Sequence, residues 1–304
     1  MPGPELASGT VADRIERIPD PAEPLPTAAW PTLGLFVFGL GLWTGSTLLA
    51  VSGDWPLPLA VLANWLAMYL LFTVSHDAAH HSASSRPWLN RWLGRIATFF
   101  VGPIGFPVWR FVHMQHHRFV NVAGADPDYG SSHASGWRRP LRWMSLDLDY
   151  LRFYLPRLPT RPRCEKIEMA VTVAIYLALA GIAVAFGLGL WFLLLVLLPA
   201  RLNGLTLGWA FDYLPHCRLH AEAETGRLRA TRNRVGLEWL MAPLALYQNY
   251  HLVHHLHPVI PFYRYLAVWR RNEEGYLEGD PALTRLSGRP LTAAEYRRLR
   301  RLDH

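Results

Sequence analysis

The sequence predicts an all-α membrane protein: two transmembrane helical hairpins, four spans in all, with a helical cytoplasmic cap that gathers histidines. Three observations lead there. Hydrophobic residues make up 51% of the 304-residue chain against 17% charged, and mean hydropathy is +0.09, too apolar for an ordinary soluble domain. Four stretches reach the ~20 mostly apolar residues that a bilayer-spanning helix needs. Nine of the 14 histidines stand in three short runs, and all three runs lie outside those stretches.

Taken in chain order, residues 1–29 are rich in proline and acidic side chains. They lack a basic start followed by an apolar core, so they are not a secretory signal, and they read as a disordered cytoplasmic tail. The first two spans are 31–51 and 56–75, joined around Ser52-Gly53-Asp54; the second pair is 167–187 and 188–211, joined around Gly187-Leu188-Gly189. Neither turn holds an arginine or lysine, whereas 13 of the 30 cations fall in 76–166 and 14 in 212–304. The positive-inside rule then puts both turns outside and both termini in the cytoplasm, as expected of a multi-pass protein of the cell's inner membrane. An even number of spans agrees, and it places all three histidine runs on one side.

The apolar stretch 92–112 contains Arg95, Pro103, Gly105, Pro107 and Arg110, which make it a poor continuous span. A crossing there would part the first histidine run from the second, so it reads as an interfacial or re-entrant element. Arg201 would cost about 2.5–3.5 kcal/mol at mid-bilayer; near the inner end of the fourth span it can snorkel to the surface. Alanines and glycines in the third span are expected to permit close helix packing. The membrane domain is read as 30–270 and the remainder, 271–304, as a basic cytoplasmic tail. Cys164 and Cys217 are too far apart in sequence to suggest a disulfide framework. The net charge of +7 comes with no nucleic-acid module, so nucleic acid is not an expected partner.

The three runs are His76, His80 and His81; His113, His116 and His117; and His251, His254 and His255. On a helix, residues three and four apart share a face. His76 with His80, the whole second run and the whole third run can therefore each present a convergent set. Eight imidazoles exceed the four or so ligands of one metal and point to two. Nitrogen ligands exclude magnesium and calcium, and the absence of thiolates argues against iron–sulfur. Two irons with open positions for dioxygen are the simplest reading. His216, four residues past Asp212, is a further candidate on spacing alone. Ligating imidazoles usually donate their second N–H to a carboxylate or carbonyl, and Asp77, Asp126, Asp128 and Asp212 stand near enough in sequence to serve.

These residues resemble the membrane fatty acid desaturase and hydroxylase superfamily. The matching segments are His76-Asp77-Ala78-Ala79-His80, His113-Met114-Gln115-His116-His117, Asp126-Pro127-Asp128, Phe211 to His216 and Gln248 to Leu256, within roughly 31–270. The last two, with Pro258 to Tyr265, are most similar to the desaturase-like β-carotene hydroxylases. The resemblance implies a non-haem di-iron centre and makes His216 its ninth ligand. His81 and His257 depart from the family pattern; His81 becomes a supporting residue, and Asn249 is a further candidate to orient His251.

The activity implied is O2-dependent attack on an unactivated C–H bond of a lipophilic substrate, first of all hydroxylation of a carotenoid β-ring. A fatty acyl or lipid desaturase or hydroxylase is the alternative. A histidine-rich metal transporter is remote, because transporters place their ligands inside the spans near the bilayer midplane. A membrane zinc hydrolase lacks any marked nucleophile. Only about 50 residues come after the third run, with no haem or flavin motif. Electrons are therefore expected from a separate ferredoxin or similar donor and its reductase. The arginine-rich face suits both an acidic donor and anionic membrane lipid.

Overall fold

The computed structural model describes residues 18–302. Four helices are long and apolar enough to cross a membrane: α1 (Trp30–Val51), α2 (Leu57–Ala79), and two more at Arg163–Ala185 and Gly189–His216. Between the pairs lie α3 (Pro87–Val101), α4 (Phe106–Phe119), α5 (Tyr129–Ser132), α6 (Arg139–Met144) and α7 (Leu146–Tyr154). The third and fourth spans are then α8 (Arg163–Ala185) and α9 (Gly189–His216). Both hairpins turn on glycines in the left-handed region, Gly53 at φ +85 and Gly187 at φ +74, where a side chain would be strained.

The spans exceed the sequence boundaries at the ends nearest the histidine runs, so α2 carries His76 within its last turn and α9 runs on to His216. Polar groups inside the spans are matched to one another. Asn64 of α2 accepts from Ser46 at 2.5 Å and donates to Thr47 of α1 at 2.9 Å and to the Leu195 carbonyl of α9 at 2.8 Å. Leu195 lies in a π-helical turn, Leu193–Leu197, and a second one occupies Gly208–Tyr213. Arg201 pairs twice with Asp147 of α7, at 2.8 and 2.6 Å, and also donates to the Met144 carbonyl. It reaches a carboxylate on a neighbouring helix, a partner that snorkelling did not require.

The stretch 92–112 is two helices parted at Gly102–Gly105, and it is not among the four candidate spans. α3 buries Leu93, Gly94 and Ala97 and exposes Trp88, Trp92 and Ile96. α8 is a correction to the packing expectation. It buries no residue, and Gly181 has nothing near it. The close approaches occur in α9 instead, where a Cβ on Gly208 would come within 2.5 Å of the Trp143 ring.

Beyond α9 the cap contains β1 (Asn233–Val235), α10 (Glu238–Leu244), α11 (His251–Leu256), α12 (Tyr265–Arg271), α13 (Glu273–Glu278), β2 (Leu283–Arg285), β3 (Pro290–Leu291) and α14 (Ala293–Leu302). The strands form a small sheet that an all-α expectation omitted, β1 parallel to β2 and β2 antiparallel to β3. Residues 271–302 are not a loose tail. Trp269 of α12 stacks on Tyr276 at 5.0 Å and donates to the Tyr296 hydroxyl at 2.8 Å, all within one core. Of the expected disordered segment, 1–17 lies outside the described residues. Residues 18–29 are pinned: Arg271 binds the Pro21 carbonyl and Glu23, both at 2.7 Å, and Ala29 donates to Ala83. Cys164 and Cys217 are free thiols.

Candidate metal centre

Three helices and the end of a fourth bring nine imidazoles together. α2 ends at the first run, with His80 its capping residue; α4 carries the second, α11 the third, and α9 delivers His216. His76, His80, His113 and His254 form one set whose nitrogens lie within 4.8 Å of one another, and His116, His216, His251 and His255 form a second. His117 stands between the sets, grouped with His254 and His255. The i, i+4 pairs 76/80, 113/117 and 251/255 each share a helix face, as their spacing requires.

The ring nitrogens approach one another closely across the sets. His80 and His113 approach Nε2 to Nε2 at 2.7 Å, His254 and His117 at 2.9 Å, His76 and His254 at 3.0 Å, and His116 and His255 at 3.3 Å. Two nitrogens each about 2.1 Å from one metal, at right to tetrahedral angles, sit roughly 3.0–3.4 Å apart. His216 is fully buried with neither ring nitrogen in a well-formed hydrogen bond, the Ala230 carbonyl being its nearby acceptor; His76 Nδ1 is likewise orphaned. Buried polar atoms without partners are costly unless something else satisfies them. The donor set thus fits metal ions of the kind imidazole prefers.

Charge agrees with geometry. Burial holds His80, His113, His117, His251, His254 and His255 well below the usual histidine range, so their lone pairs are free. His116 differs. Burial opposes its charge, but the Asp126 and Asp128 carboxylates outweigh that and raise it to about 9. Its Nδ1 meets Asp126 Oδ1 at 2.9 Å and Asp128 Oδ2 at 3.5 Å. Asp126 is itself fixed by the backbone N–H groups of Asn121 and Asp128, each at 2.9 Å. The proton toward Asp126 leaves Nε2 facing the cluster.

The other expected supports go elsewhere. Asp77 accepts from Thr32 at 2.7 Å and from the Phe262 N–H at 3.3 Å, tying α1 and α2 to the cap without touching a ring nitrogen. Asp212 accepts from Ser131 at 2.7 Å, and Asn249 donates to the Arg234 carbonyl at 3.1 Å. His81, at φ +58, faces Arg110 at 3.3 Å and stays outside both sets; His257 binds the Tyr276 hydroxyl at 2.8 Å. Two supports were not singled out from the sequence: Gln248 Oε1 meets His251 Nδ1 at 3.0 Å from three residues before it, a spacing that could have marked it, and the Tyr265 hydroxyl meets His254 Nδ1 at 2.9 Å.

A crevice lined by Phe72, Ile104, Trp109, Leu146 and Leu207, with Asp147, Arg201 and Asp212 also in its wall, reaches the first set through Phe72 and Trp109. Trp109 stacks on His113 at 4.9 Å and meets Phe72 edge-on at 5.5 Å.

A family model described as fatty acid desaturase matches residues 53–287. A beta-carotene ketolase of Paracoccus sp. is 28% identical over 254 residues, 80% of this chain and 95% of that protein. A dihydrorhizobitoxine desaturase of Bradyrhizobium elkanii is 30% identical over 69% of this chain and 65% of its own length. An sn-1 oleoyl-lipid 12-desaturase of Arthrospira platensis is 29% identical over 41% of this chain, which spans 34% of that enzyme. With the four apolar helices and the histidine sets already described, the chain belongs to the fatty acid desaturase family and is a multi-pass membrane oxidoreductase.

Proposed function

We propose that this protein is a di-iron oxygenase that uses O2 to hydroxylate the β-ring of a carotenoid. The observation that carries the substrate class is the extent of similarity, 95% of a beta-carotene ketolase against 34% of the oleoyl-lipid desaturase. His76, His80, His113 and His254 would hold one iron, and His116, His216, His251 and His255 the other, with His117 between them. When bound, the pair supplies oxygen activation at an unactivated C–H bond. The protein's own part is to hold the nine imidazoles oriented, to keep water from the crevice, and to present the substrate ring along Phe72 and Trp109. Asp126 retains the His116 Nδ1 proton, which keeps Nε2 free. Termini and centre face the cytoplasm in this reading, and a separate acidic carrier of the ferredoxin kind delivers electrons.

Expression in a β-carotene-accumulating bacterium, with pigment chromatography and fatty-acid profiling of the same cells, tests the proposal. Hydroxylated rings with unchanged acyl chains are expected. Unchanged pigments with new acyl unsaturation would replace it with the second reading, an acyl-lipid desaturase, which the partial match to the oleoyl-lipid enzyme favours. The purified protein should hold about two irons; stoichiometric zinc without iron would remove the oxygenase reading altogether.

A further inference from the structure

The cleft between the end of α9 and the small sheet gathers cations that the metal centre does not use. Arg218, Arg229, Arg232 and Arg234 line it with His220 and Tyr213. Arg229 is paired with Asp280 at 2.7 Å, and the other carboxylate there, Glu295, is engaged by Arg289 at 2.8 Å and by the Thr292 N–H at 3.0 Å. Arg218, Arg232 and Arg234 have no carboxylate partner among the described residues.

Arg232 is only 8% exposed. Its Nη2 donates to the Cys217 carbonyl while its buried Nε meets no acceptor. Arg234 reaches the carbonyls of Leu286 and Leu214 at 3.3 and 3.4 Å, and its Nε is also without an acceptor. Burial, with Arg234 and Arg218 adding like charge, pulls the Arg232 guanidinium below its ordinary range. Buried guanidinium groups are normally matched to an anion, so a counter-charge is missing from this cleft. The arginine-lined groove near α5 and α6 shows the contrast. There Arg142 and Arg152 share Asp149 at 3.2 and 3.0 Å, and Arg139 donates to the Tyr213 hydroxyl at 2.8 Å.

We propose that the cleft binds a phosphate group through Arg218, Arg232 and Arg234, from a soluble phosphate compound or from a lipid headgroup. The three guanidinium groups come from separate residues, so the ligand must offer several oxygens in different directions. Phosphate does so; a carboxylate satisfies one fork and a halide none. Occupancy would brace the metal centre. Arg232 N–H donates to the Pro215 carbonyl beside His216 at 3.2 Å, and β1 holds α11 through Asn233 Oδ1, which accepts from the Leu252 N–H at 3.0 Å.

The test is thermal unfolding of the full chain in non-ionic detergent, in sodium phosphate against sodium chloride at matched ionic strength. A saturable rise in Tm of several degrees is expected from linkage. It should be lost in Arg232→Gln and in Arg218→Gln and kept in Arg138→Gln, a control for general attraction to a basic protein. Arg218 is exposed, so its variant remains informative if Arg232→Gln fails to fold. A second arm compares phosphatidylcholine nanodiscs with and without phosphatidic acid. A rise confined to that arm and dependent on Arg218 assigns the site to a lipid headgroup. No rise in either arm, or one that persists in both cleft variants, overturns the proposal.

Discussion

His116 takes its orientation from a carboxylate ten residues downstream, and that loop contact separates it from the other imidazoles. Replacing Asp126 by alanine removes the acceptor at Nδ1 while leaving every ligand in place. Metal affinity should fall by about 10–100-fold, the usual cost of losing such a partner, read as faster loss of iron to a chelator. His216→Ala should lose roughly half of the bound iron, because it empties a corner of the second set; His81→Ala should retain nearly all of it. Iron analysis of the two purified variants checks this, and equal loss in both would mean the nine-ligand assignment is wrong. The histidines were legible because identity and helical spacing alone bring them to one face. Their supports were not. Asp77, Asp212 and Asn249 are neighbours in sequence that the fold turns to other partners; Gln248 meets His251 locally, three residues away, and Tyr265 becomes the neighbour of a ring only once α11 and α12 are packed.

Single elements show the same division. Hydropathy located all four spans, because burial in lipid acts on a whole segment at once. It could not tell that Arg201 is met by Asp147 from α7, since that pairing depends on where a short surface helix comes to rest. Asp147→Ala should destabilise the protein by about 1–3 kcal/mol, the range for leaving a partly buried donor unmatched, measured as a lower midpoint in thermal unfolding. The glycines of α8 misled for a related reason. Small residues permit close packing without causing it, and α8 lies on the lipid-facing side while α9 meets Trp143.

For the molecule as a whole, charge bias and an even span count lead to the expectation of one membrane face for the three histidine runs, and the structure gathers eight of their nine histidines, with His216, into a single cluster. What composition concealed was the reach of the cap. Its core takes Tyr276, Leu283, Leu291 and Tyr296 from the segment that reads as a basic tail, because arginines on the outer faces mask a few apolar anchors. A chain ended after residue 270 should therefore lose more than solubility. It should express poorly and bind little iron, whereas removal of a true tail would leave both unchanged. A donor guided to the arginine-rich face by charge should also reduce the enzyme more slowly as salt rises, since such attraction is screened beyond about 10 Å at 0.1 M.

The wide turn at Gly208–Tyr213 sets the rotational phase of the last residues of α9. Each residue of an α-helix advances the side chain by about 100° around the axis, and a π turn holds one residue more than the α turn it replaces. His216 comes three residues after that turn, so its bearing is set by a count rather than by a contact. Inserting one more alanine after Ala210 exceeds what the wide turn absorbs; it would leave hydropathy and insertion almost untouched and yet rotate the imidazole out of the cluster. The expected product is a protein that reaches the membrane in normal amount and carries one iron fewer, a defect of register alone.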